Sequence, residues 1–416
     1  MGGALRPVVV GYDAVSPLGT ELDDQWVRAA AGESGLGPLT RFPLRERFPV
    51  RVAGEVPAFD ESSFDFLRPR ELAHWTSPIF KHGMLVAHRA LRRAGLEITP
   101  AIAGRTAVTF STAVGGLDAV LAADRLLVER NRLPHPFVPP NSCVNMVGGK
   151  VSILTGAQGP ILSTVTACAT GTTSMIVGAM FLERGEADVV ICGAVDFPLM
   201  EPIVGGFATM NGAFKTKPGD DELPSAASRP FARNRKGFVV SEGAACVVLT
   251  TPEFARAHGI TPAIELAGWA STSDASHFVA PNPVTVERCM ALAIERAGIV
   301  PEDVDAVNAH AASTRIGDKV EADTMARLFG GRLPPTTANK SLFGHCMGAS
   351  SAVESVLAME GMVRGVLLPT RNYDEDPEFP MDCLTDTAVG LEQEFVLKNA
   401  FGFGGCNACI VFRRLD

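Results

Sequence analysis

The chain has 416 residues, 46% of them hydrophobic and 20% charged, which is typical of a globular protein that buries a core and not of a disordered one. Its 37 Lys and Arg residues against 46 Asp and Glu residues give a formal net charge of −9, which argues against broad binding of nucleic acid. The length fits two or three domains, or one large duplicated fold.

The N-terminus and the cysteines point to one compartment. The first residues lack the charged segment followed by an apolar one that marks a secretory signal, and no apolar run reaches the roughly 18 residues of a membrane span. Nine cysteines cannot all pair within the chain, and their scatter predicts reduced thiols. We therefore expect a soluble cytoplasmic protein without a membrane span.

Strands and helices are predicted in alternation along the chain. In the first half, runs rich in β-branched residues predict strands at 8–10, 106–110, 188–192 and 245–249, and apolar spacing predicts helices at 81–94 and 173–184. In the second half, helices are expected at 286–297 and 350–362, and strands at 304–307, 365–368, 398–403 and 408–412. The alternation favours α/β layering.

One cysteine lies where chemistry is favoured. Cys168 follows a β-branched run at 161–165, which we interpret as a strand, and precedes the nearly all-apolar helix at 173–184. The helix dipole and free N–H groups would lower the pKa of a thiol at this N-terminus. The small residues Ala167, Ala169 and Gly171 leave room for a substrate. The alternative is a buried, inert cysteine.

Two of the eight histidines lie in loops of small residues. His310 ends a predicted strand and precedes Ala311 and Ala312, and His345 is flanked by Gly344 and lies shortly before a predicted helix. Two imidazoles in such loops can flank one thiolate, but spacing alone also fits two unrelated loop histidines.

A metal or redox site is the rival use of these residue types. Cys406 and Cys409 form a C-x-x-C pair, but no second pair or H-x-x-x-H follows to complete a zinc site. We interpret them as two cysteines of a strand and expect no metal.

Four motifs in order carry a resemblance to a known family. They are T-A-C-A-T-G at 166–171, N-A-H-A-A-S-T at 308–314, K-S-L-F-G-H-C-M-G at 340–348 and N-A-F-G-F-G-G-C-N at 399–407. The chain resembles the β-ketoacyl-acyl carrier protein synthases of the KAS I/II type, nearly end to end. The resemblance implies a thiolase-like duplicated five-layer αβαβα fold, with a half at 1–255 carrying the cysteine and a half at 256–416 carrying both histidines.

The resemblance also implies a Cys-His-His site. Cys168 would take an acyl group from a carrier-protein thioester, and the backbone N–H groups of Cys168 and Phe403 would form the oxyanion hole. His310 and His345 would stabilise the enolate left when a malonyl thioester loses its carboxylate. Phe403 would also act as a gate for the acyl chain.

Further residues are implied by the same motifs. Lys340 would pair with Glu321 to orient the histidines. Thr314 and Phe401 would contact substrate, and pocket-lining positions match Val114, Phe207 and Met210. Because the expected carrier protein is acidic, docking would need a basic patch, for which the candidates are Arg68, Arg70, Lys81, Lys215 and Lys217. The resemblance implies no metal or organic cofactor, and a homodimer or a heterodimer with a ketosynthase-like subunit.

The chain departs from the family pattern in ways that leave alternatives open. Ala311 and Ala312 stand where relatives usually have Gly and Thr, and loss of that hydroxyl removes a hydrogen bond to the phosphopantetheine arm, worth on the order of 1 kcal/mol. The helical segment at 68–81 is less basic than in fatty-acid enzymes, which favours specialised type II polyketide or polyene synthesis over fatty-acid synthesis. A non-elongating chain-length-factor type of subunit, and an acyl-enzyme hydrolase or acyltransferase, are the competing functions.

Overall fold

The computed structural model describes residues 5–216, 219–220 and 222–415. The strands are β1 Val8–Val15, β2 Leu36–Pro38, β3 Val52–Gly54, β4 Thr106–Ser111, β5 Val189–Asp196, β6 Gly243–Thr250, β7 Ile264–Ser273, β8 Ala306–Asn308, β9 Thr336–Thr337, β10 Val366–Leu367, β11 Val389–Gly390, β12 Phe395–Gly402 and β13 Cys406–Arg414. The predicted strands are confirmed except for the one at 161–165.

The predicted helices are also confirmed. The helices are α1 Leu22–Ala30, α2 Pro69–His74, α3 Pro78–Arg93, α4 Pro100–Ala103, α5 Leu117–Arg130, α6 Val138–Ser142, α7 Met146–Thr155, α8 Thr170–Glu183, α9 Glu201–Thr209, α10 Pro252–Ala257, α11 Pro283–Ala297, α12 Arg315–Leu328, α13 Lys340–Phe343 and α14 Ser350–Arg364. Within the described ranges, none is long and apolar enough to cross a membrane.

Local signals explain where the helices begin and end. In α11, the side chain of Asn282 accepts a hydrogen bond from the backbone N–H of Val284, and Pro283 occupies the first turn, where its missing N–H costs nothing. The same helix ends at Gly298, whose φ of 76° is the left-handed conformation that glycine adopts freely.

The main sheet contains the same arrangement of strands twice. Its order is β4-β5-β6-β1-β7-β13-β12-β8-β9. Outward from the centre, β1 pairs with β6 and β6 with β5 antiparallel, whereas β5 and β4 are parallel. In the other half, β7 pairs with β13 and β13 with β12 antiparallel, whereas β12 and β8 are parallel, so the directions repeat in the same order. The structure therefore contains the duplication that the sequence could not show by identity.

The two halves of the sheet enclose a layer of helices. Among the described residues, strand pairing joins the halves where Val8 and Val9 of β1 face Glu265 and Ile264 of β7. Both α8 and α14 pack against strands of each half, whereas α3 and α7 cover the outer face of the first half and α11 covers that of the second. The layers alternate as helix, sheet, helix, sheet, helix, which confirms the predicted five-layer fold.

The strand predicted at 161–165 is wrong. This segment runs beside the edge strand β4 and forms one isolated bridge, between Ile161 and Val108. In the part of the chain that the structure describes, the segment pairs with β4 only through the carbonyl of Pro160 and the N–H of Leu162, and beyond them the hydroxyl of Ser163, in place of a backbone N–H, donates to the carbonyl oxygen of Phe110. Ile161, Leu162 and Val165 remain almost half exposed at this edge of the sheet.

The central helices α8 and α14 pack in close contact near their N-termini. A methyl group on Gly171 would lie 2.5 Å from the backbone nitrogen of Ala352. Next to this contact, the backbone N–H of Thr172 donates to the hydroxyl oxygen of Ser351 over 3.1 Å. The absence of a side chain at Gly171 therefore sets the distance between the two helices.

We expect Gly171→Ala to destabilise the fold, because its methyl group would force α8 and α14 apart. Overpacking of this kind lowers the free energy of unfolding by about 1–3 kcal/mol. The matched control is Gly149→Ala, since Gly149 also lies in a helix but a methyl group there meets nothing within 4 Å. Denaturant unfolding of both variants tests this, and equal stability of the two would contradict it.

Candidate active site

Cys168 lies at the entrance to the central helix α8. It occupies a short 3₁₀ turn, Ala167–Ala169, which leads directly into the helix. Ala167 has a φ of 49°, in the left-handed region, and the hydroxyl of Thr170 donates to its carbonyl oxygen over 2.7 Å. The predicted position of the thiol at a helix N-terminus is therefore confirmed.

The bend between β12 and β13 contacts this turn. A methyl group on Gly402 would lie 2.3 Å from the carbonyl oxygen of Thr166, so only glycine allows so close an approach. As a result, the backbone N–H of Phe403, like that of Cys168 itself, interacts with the Cys168 sulfur and lowers its pKa. Two N–H donors therefore meet at the thiol.

The expected net lowering of the thiol pKa is wrong. Burial raises the pKa of Cys168 to about 11, and the opposing effects of Lys340 and of the N–H donors from Phe403 and Cys168 are smaller. The cause is desolvation, since the side chain is 8% exposed and its thiolate would lose most of its water. The resting nucleophile is therefore a thiol, which must lose its proton as it reacts.

The second histidine follows the matching turn of the other half. His345 precedes the 3₁₀ turn Met347–Ala349, which leads into α14, and Met347 again has a φ of 49°. The His345 Nδ1 atom accepts a hydrogen bond from the backbone N–H of Met347 over 3.1 Å and lies 2.9 Å from the Ser350 hydroxyl. Because that N–H can only donate, the hydrogen of the neutral ring lies on Nε2.

His310 faces His345 at the end of β8. The ring centroids of the two histidines are 5.8 Å apart, and the Phe401 ring lies 5.6 Å from that of His310, on the strand β12 that leads to Phe403. Burial lowers the pKa of both imidazoles well below the usual value, and the charge of Lys340 lowers it further. Among the described residues, nothing bonds to the buried His310 Nδ1 atom. The site thus holds two uncharged imidazoles.

The predicted pair between Lys340 and Glu321 is wrong. The Lys340 ammonium donates to Glu354 on α14 over 2.5 Å and to the carbonyl oxygen of His310 over 2.5 Å. The carboxylate of Glu321 instead accepts the backbone N–H groups of His310 and Ala311 over 2.8 and 2.7 Å. These bonds occupy Glu321, so it shapes the loop of His310 while Glu354 holds the lysine.

Sequence reasoning missed two members of this network. Glu354 also binds Lys398 of β12, with 2.6 Å between Lys398 Nζ and Glu354 Oε2, and both side chains are fully buried. The available signal was Lys398 as the one charged residue of β12, and Glu354 among the small and apolar residues at 350–359, because charged residues are rarely buried unless paired. The partner of each, however, could not be read from the sequence.

The predicted pocket residues separate into two groups. Val114 and Phe207 pack in an apolar cluster that includes Met347 and Ala312, and Phe238 of the same cluster lies 5.3 Å from the His345 ring. Met210 does not join this cluster, because it follows the C-terminal end of α9 and is 39% exposed. Its role as a pocket residue stays a prediction.

Two further predicted residues lie close to the site. Thr314 precedes α12, and its backbone N–H donates to the Asp318 carboxylate over 3.0 Å. Phe401 contacts the His310 ring as described above. Both positions remain substrate-binding predictions.

The carrier-docking candidates differ in exposure. Arg68, Arg70 and Lys215 are exposed, whereas Lys81 is partly buried with its ammonium 5.4 Å from the centre of the Phe64 ring. Lys217 lies outside the described residues. A docking role for these residues stays a prediction.

The two cysteines of the C-x-x-C pair lie three positions apart on β13. Residues three apart in a strand point to opposite faces of the sheet, so Cys406 and Cys409 cannot bind one ion together. The expected absence of a metal stays a prediction.

The matches to protein families agree with this architecture. The model of the β-ketoacyl synthase N-terminal domain matches residues 6–255, and that of the C-terminal domain matches residues 263–374. The chain belongs to the β-ketoacyl synthase family. The predicted family is therefore confirmed, while the predicted division at residues 255 and 256 stays a prediction.

Individual β-ketoacyl synthases match over the full chain. The 3-oxoacyl-(acyl-carrier-protein) synthase 2 of Staphylococcus aureus (strain MRSA252) is 33% identical over 423 residues, which is 100% of each chain. A solved β-ketoacyl synthase from Burkholderia phymatum STM815 is 29% identical with a TM-score of 0.91, over 99% of this chain and 100% of the other. The ishigamide ketosynthase/chain length factor is 27% identical with a TM-score of 0.88, over 99% and 100%.

The reactivity of Cys168 should reflect its raised pKa. Because the thiolate reacts and the thiol does not, alkylation by iodoacetamide should accelerate about tenfold per pH unit from pH 7 to 9 without a plateau. Mass spectrometry of peptides separates Cys168 from the exposed Cys143, which serves as an internal reference for the reagent. A plateau below pH 8 would show a stabilised thiolate and contradict the burial argument.

Proposed function

We propose that this ketosynthase joins an acyl group held on Cys168 to a malonyl group presented by an acyl carrier protein, with loss of carbon dioxide. The observation that carries the proposal is the meeting of three parts in one buried site. A thiol lies beneath two backbone N–H donors, and two uncharged imidazoles face each other near the same bend. These are a nucleophile, an oxyanion hole and donors for an enolate.

In the first step, the Cys168 sulfur attacks the carbonyl carbon of an acyl thioester. The N–H groups of Cys168 and Phe403 stabilise the negative oxygen of the tetrahedral intermediate. The bond to the phosphopantetheine sulfur then breaks, and that sulfur departs as a thiol with the proton that Cys168 loses. The product is an acyl-enzyme, and no oxidant or reductant takes part.

In the second step, a malonyl thioester binds beside the two histidines. Its carboxylate leaves as carbon dioxide, and the electron pair of the broken bond becomes an enolate. His345, which carries its hydrogen on Nε2, and His310 donate to the enolate oxygen, so the charge develops against fixed donors. The carbon then attacks the acyl carbonyl, the bond to the Cys168 sulfur breaks, and the thiolate takes up a proton from water to restore the resting thiol. The side chains suffice for this chemistry, which needs no metal or organic cofactor.

The partners follow from the same proposal. The Staphylococcus aureus relative is named for an acyl carrier protein, which supports a carrier-bound substrate. We also infer a dimer, as homodimer or with a ketosynthase-like partner such as the chain length factor named for the ishigamide protein. The exposed apolar residues Ile161, Leu162 and Val165 at the sheet edge support an interface there. All nine cysteines are free, which supports a location in the reducing cytoplasm.

The pathway is inferred from the carrier-facing segment. We propose specialised type II polyketide or polyene synthesis, with a dedicated carrier protein. In support, Trp75 lies in this segment and packs against Phe80, with Lys150 Nζ 5.1 Å from its ring, where fatty-acid enzymes present a more basic surface. Ala312, in the apolar cluster with Val114 and Phe207, further distinguishes this chain from relatives that have Thr at the same position.

Two variants separate the two steps. Cys168→Ala should abolish the acyl-enzyme and the extended product, because no nucleophile remains. His345→Ala should still form the acyl-enzyme but reduce extension about 10²-fold or more, because a donor to the enolate is lost. Mass spectrometry of the enzyme and of both carriers measures each species.

The control for these variants is His258→Ala, which removes a histidine that stacks on Phe254 on α10. Acyl-enzyme without extension in the unaltered protein would indicate a hydrolase or acyltransferase. No acyl-enzyme in that protein would indicate a non-elongating subunit.

Charge reversal should weaken carrier binding. We expect Arg68→Glu with Arg70→Glu to raise the KM for the acidic carrier about tenfold and to leave kcat unchanged, because the exposed arginines attract the carrier before chemistry begins. Arg256→Glu with Arg288→Glu, both exposed, on α10 and α11, is the control for an equal change of net charge. Steady-state kinetics at low salt measure the effect, and an unchanged KM in the double variant would remove these residues from the docking surface.

A further inference from the structure

A second lysine lies in the buried charge network of the site. Lys398 of β12 is fully buried, and its ammonium donates to Glu354 Oε2 over 2.6 Å and to the carbonyl oxygen of Asn399 over 2.7 Å. Glu354 thus binds a different lysine with each carboxylate oxygen, since Lys340 holds Oε1. Lys340 contacts the loop of His310 directly, whereas no step of the proposed condensation uses Lys398.

A buried lysine without a function would be costly. Desolvation lowers the pKa of Lys398, and the attraction of Glu354 opposes this effect. One lysine already neutralises Glu354, so a second ammonium needs a further reason to lie there. That reason is Glu321, a buried carboxylate that accepts only N–H groups, from His310, Ala311 and the side chain of Asn399.

The network is balanced only when all its charges are counted. Lys340 on α13, Glu354 on α14, Glu321 on α12 and Lys398 on β12 contribute two positive and two negative charges. The thiol of Cys409 on β13 also faces Lys398. Without Lys398 the four-residue group would be one charge more negative.

Lys398 is also close to both catalytic loops. It pairs in register with Asn308, two residues before His310, and lies five residues before Phe403 on the strand that leads to the bend. Its charge acts on both imidazoles and lowers the pKa of His310 and of His345. Through Glu354 it holds Lys340 against the carbonyl oxygen of His310.

We propose that Lys398 is a positioning residue of the condensing site, which fixes Glu354 and Lys340 beneath His310 and supplies the positive charge that balances Glu321. The inference rests on the condensation proposed above. Of the two histidines, His345 is the one most sensitive to protonation, because its Nδ1 already accepts the Met347 N–H. A proton on that nitrogen would set two donors against each other and break the turn that orients the ring.

Removing the charge of Lys398 should shift the pH dependence of extension in a definite direction. With Lys398→Met, the histidines lose a repelling positive charge, so their pKa rises and they become protonated at higher pH. The acid limb of kcat for extension should therefore move upward by about one pH unit. Lys398→Arg, which keeps the charge, should leave the limb near its original position. Lys319→Met, which removes a partly exposed lysine of α12, should have no effect.

A second background keeps the test decisive if Lys398→Met does not fold. Glu354→Gln alone leaves one excess positive charge, which should move the acid limb downward. Adding Lys398→Met to Glu354→Gln restores the balance and should move it back up. An acid limb that Lys398→Met leaves unmoved in the Glu354→Gln background would overturn the proposal, whether or not the single variant folds.

Titration of the histidines distinguishes this inference from the proposed function. Proton–carbon NMR of the histidine rings follows protonation of His310 and His345 without any substrate, with His310→Ala and His345→Ala used to assign the signals. Their titration should move to higher pH in Lys398→Met. If the unaltered protein extends no substrate but this shift occurs, the condensation fails and the electrostatic role stands. If extension proceeds and the shift is absent, only the role of Lys398 fails.

Discussion

The close crossing of α8 and α14 between the two halves of the sheet is the constraint on which the site depends. Each helix begins with the same 3₁₀ turn, and each turn starts at a residue with a φ of 49°, Ala167 in one half and Met347 in the other. Because Gly171 lets the helices approach, the two turns lie side by side. The duplicated fold thus places Cys168 of one half next to the histidine loop of the other.

The same enclosure that assembles the site also determines its electrostatics. Burial raises the thiol pKa and lowers the pKa of both imidazoles, so every group that acts on substrate rests uncharged. Uncharged imidazoles can donate hydrogen bonds to an enolate without repelling the nearby Lys340 ammonium. Exclusion of water from the site makes each of these hydrogen bonds stronger. The charges that the site does contain lie behind the histidines, in paired lysines and glutamates.

Much of this could be predicted from the sequence, because local patterns decide it. The helices and most strands follow from apolar spacing, and Cys168, His310 and His345 stand out by their small neighbours and their place at element ends. The partner of Lys340 could not be predicted, because Glu354 and Glu321 lie at similar distances along the chain and only packing distinguishes them. The predicted lowering of the Cys168 pKa was wrong for a related reason, since the helix dipole is local whereas desolvation depends on the whole fold.

The central claim is that carbon–carbon bond formation is coupled to loss of carbon dioxide at this site. The most direct test supplies the unaltered protein with an acyl carrier thioester and a malonyl carrier thioester labelled with ¹³C in the free carboxylate. We predict one labelled carbon dioxide for each product lengthened by two unlabelled carbons. Two results would contradict this coupling. One is an extended product that retains the label, and the other is an acyl-enzyme that never extends while the label stays in the malonyl carboxylate.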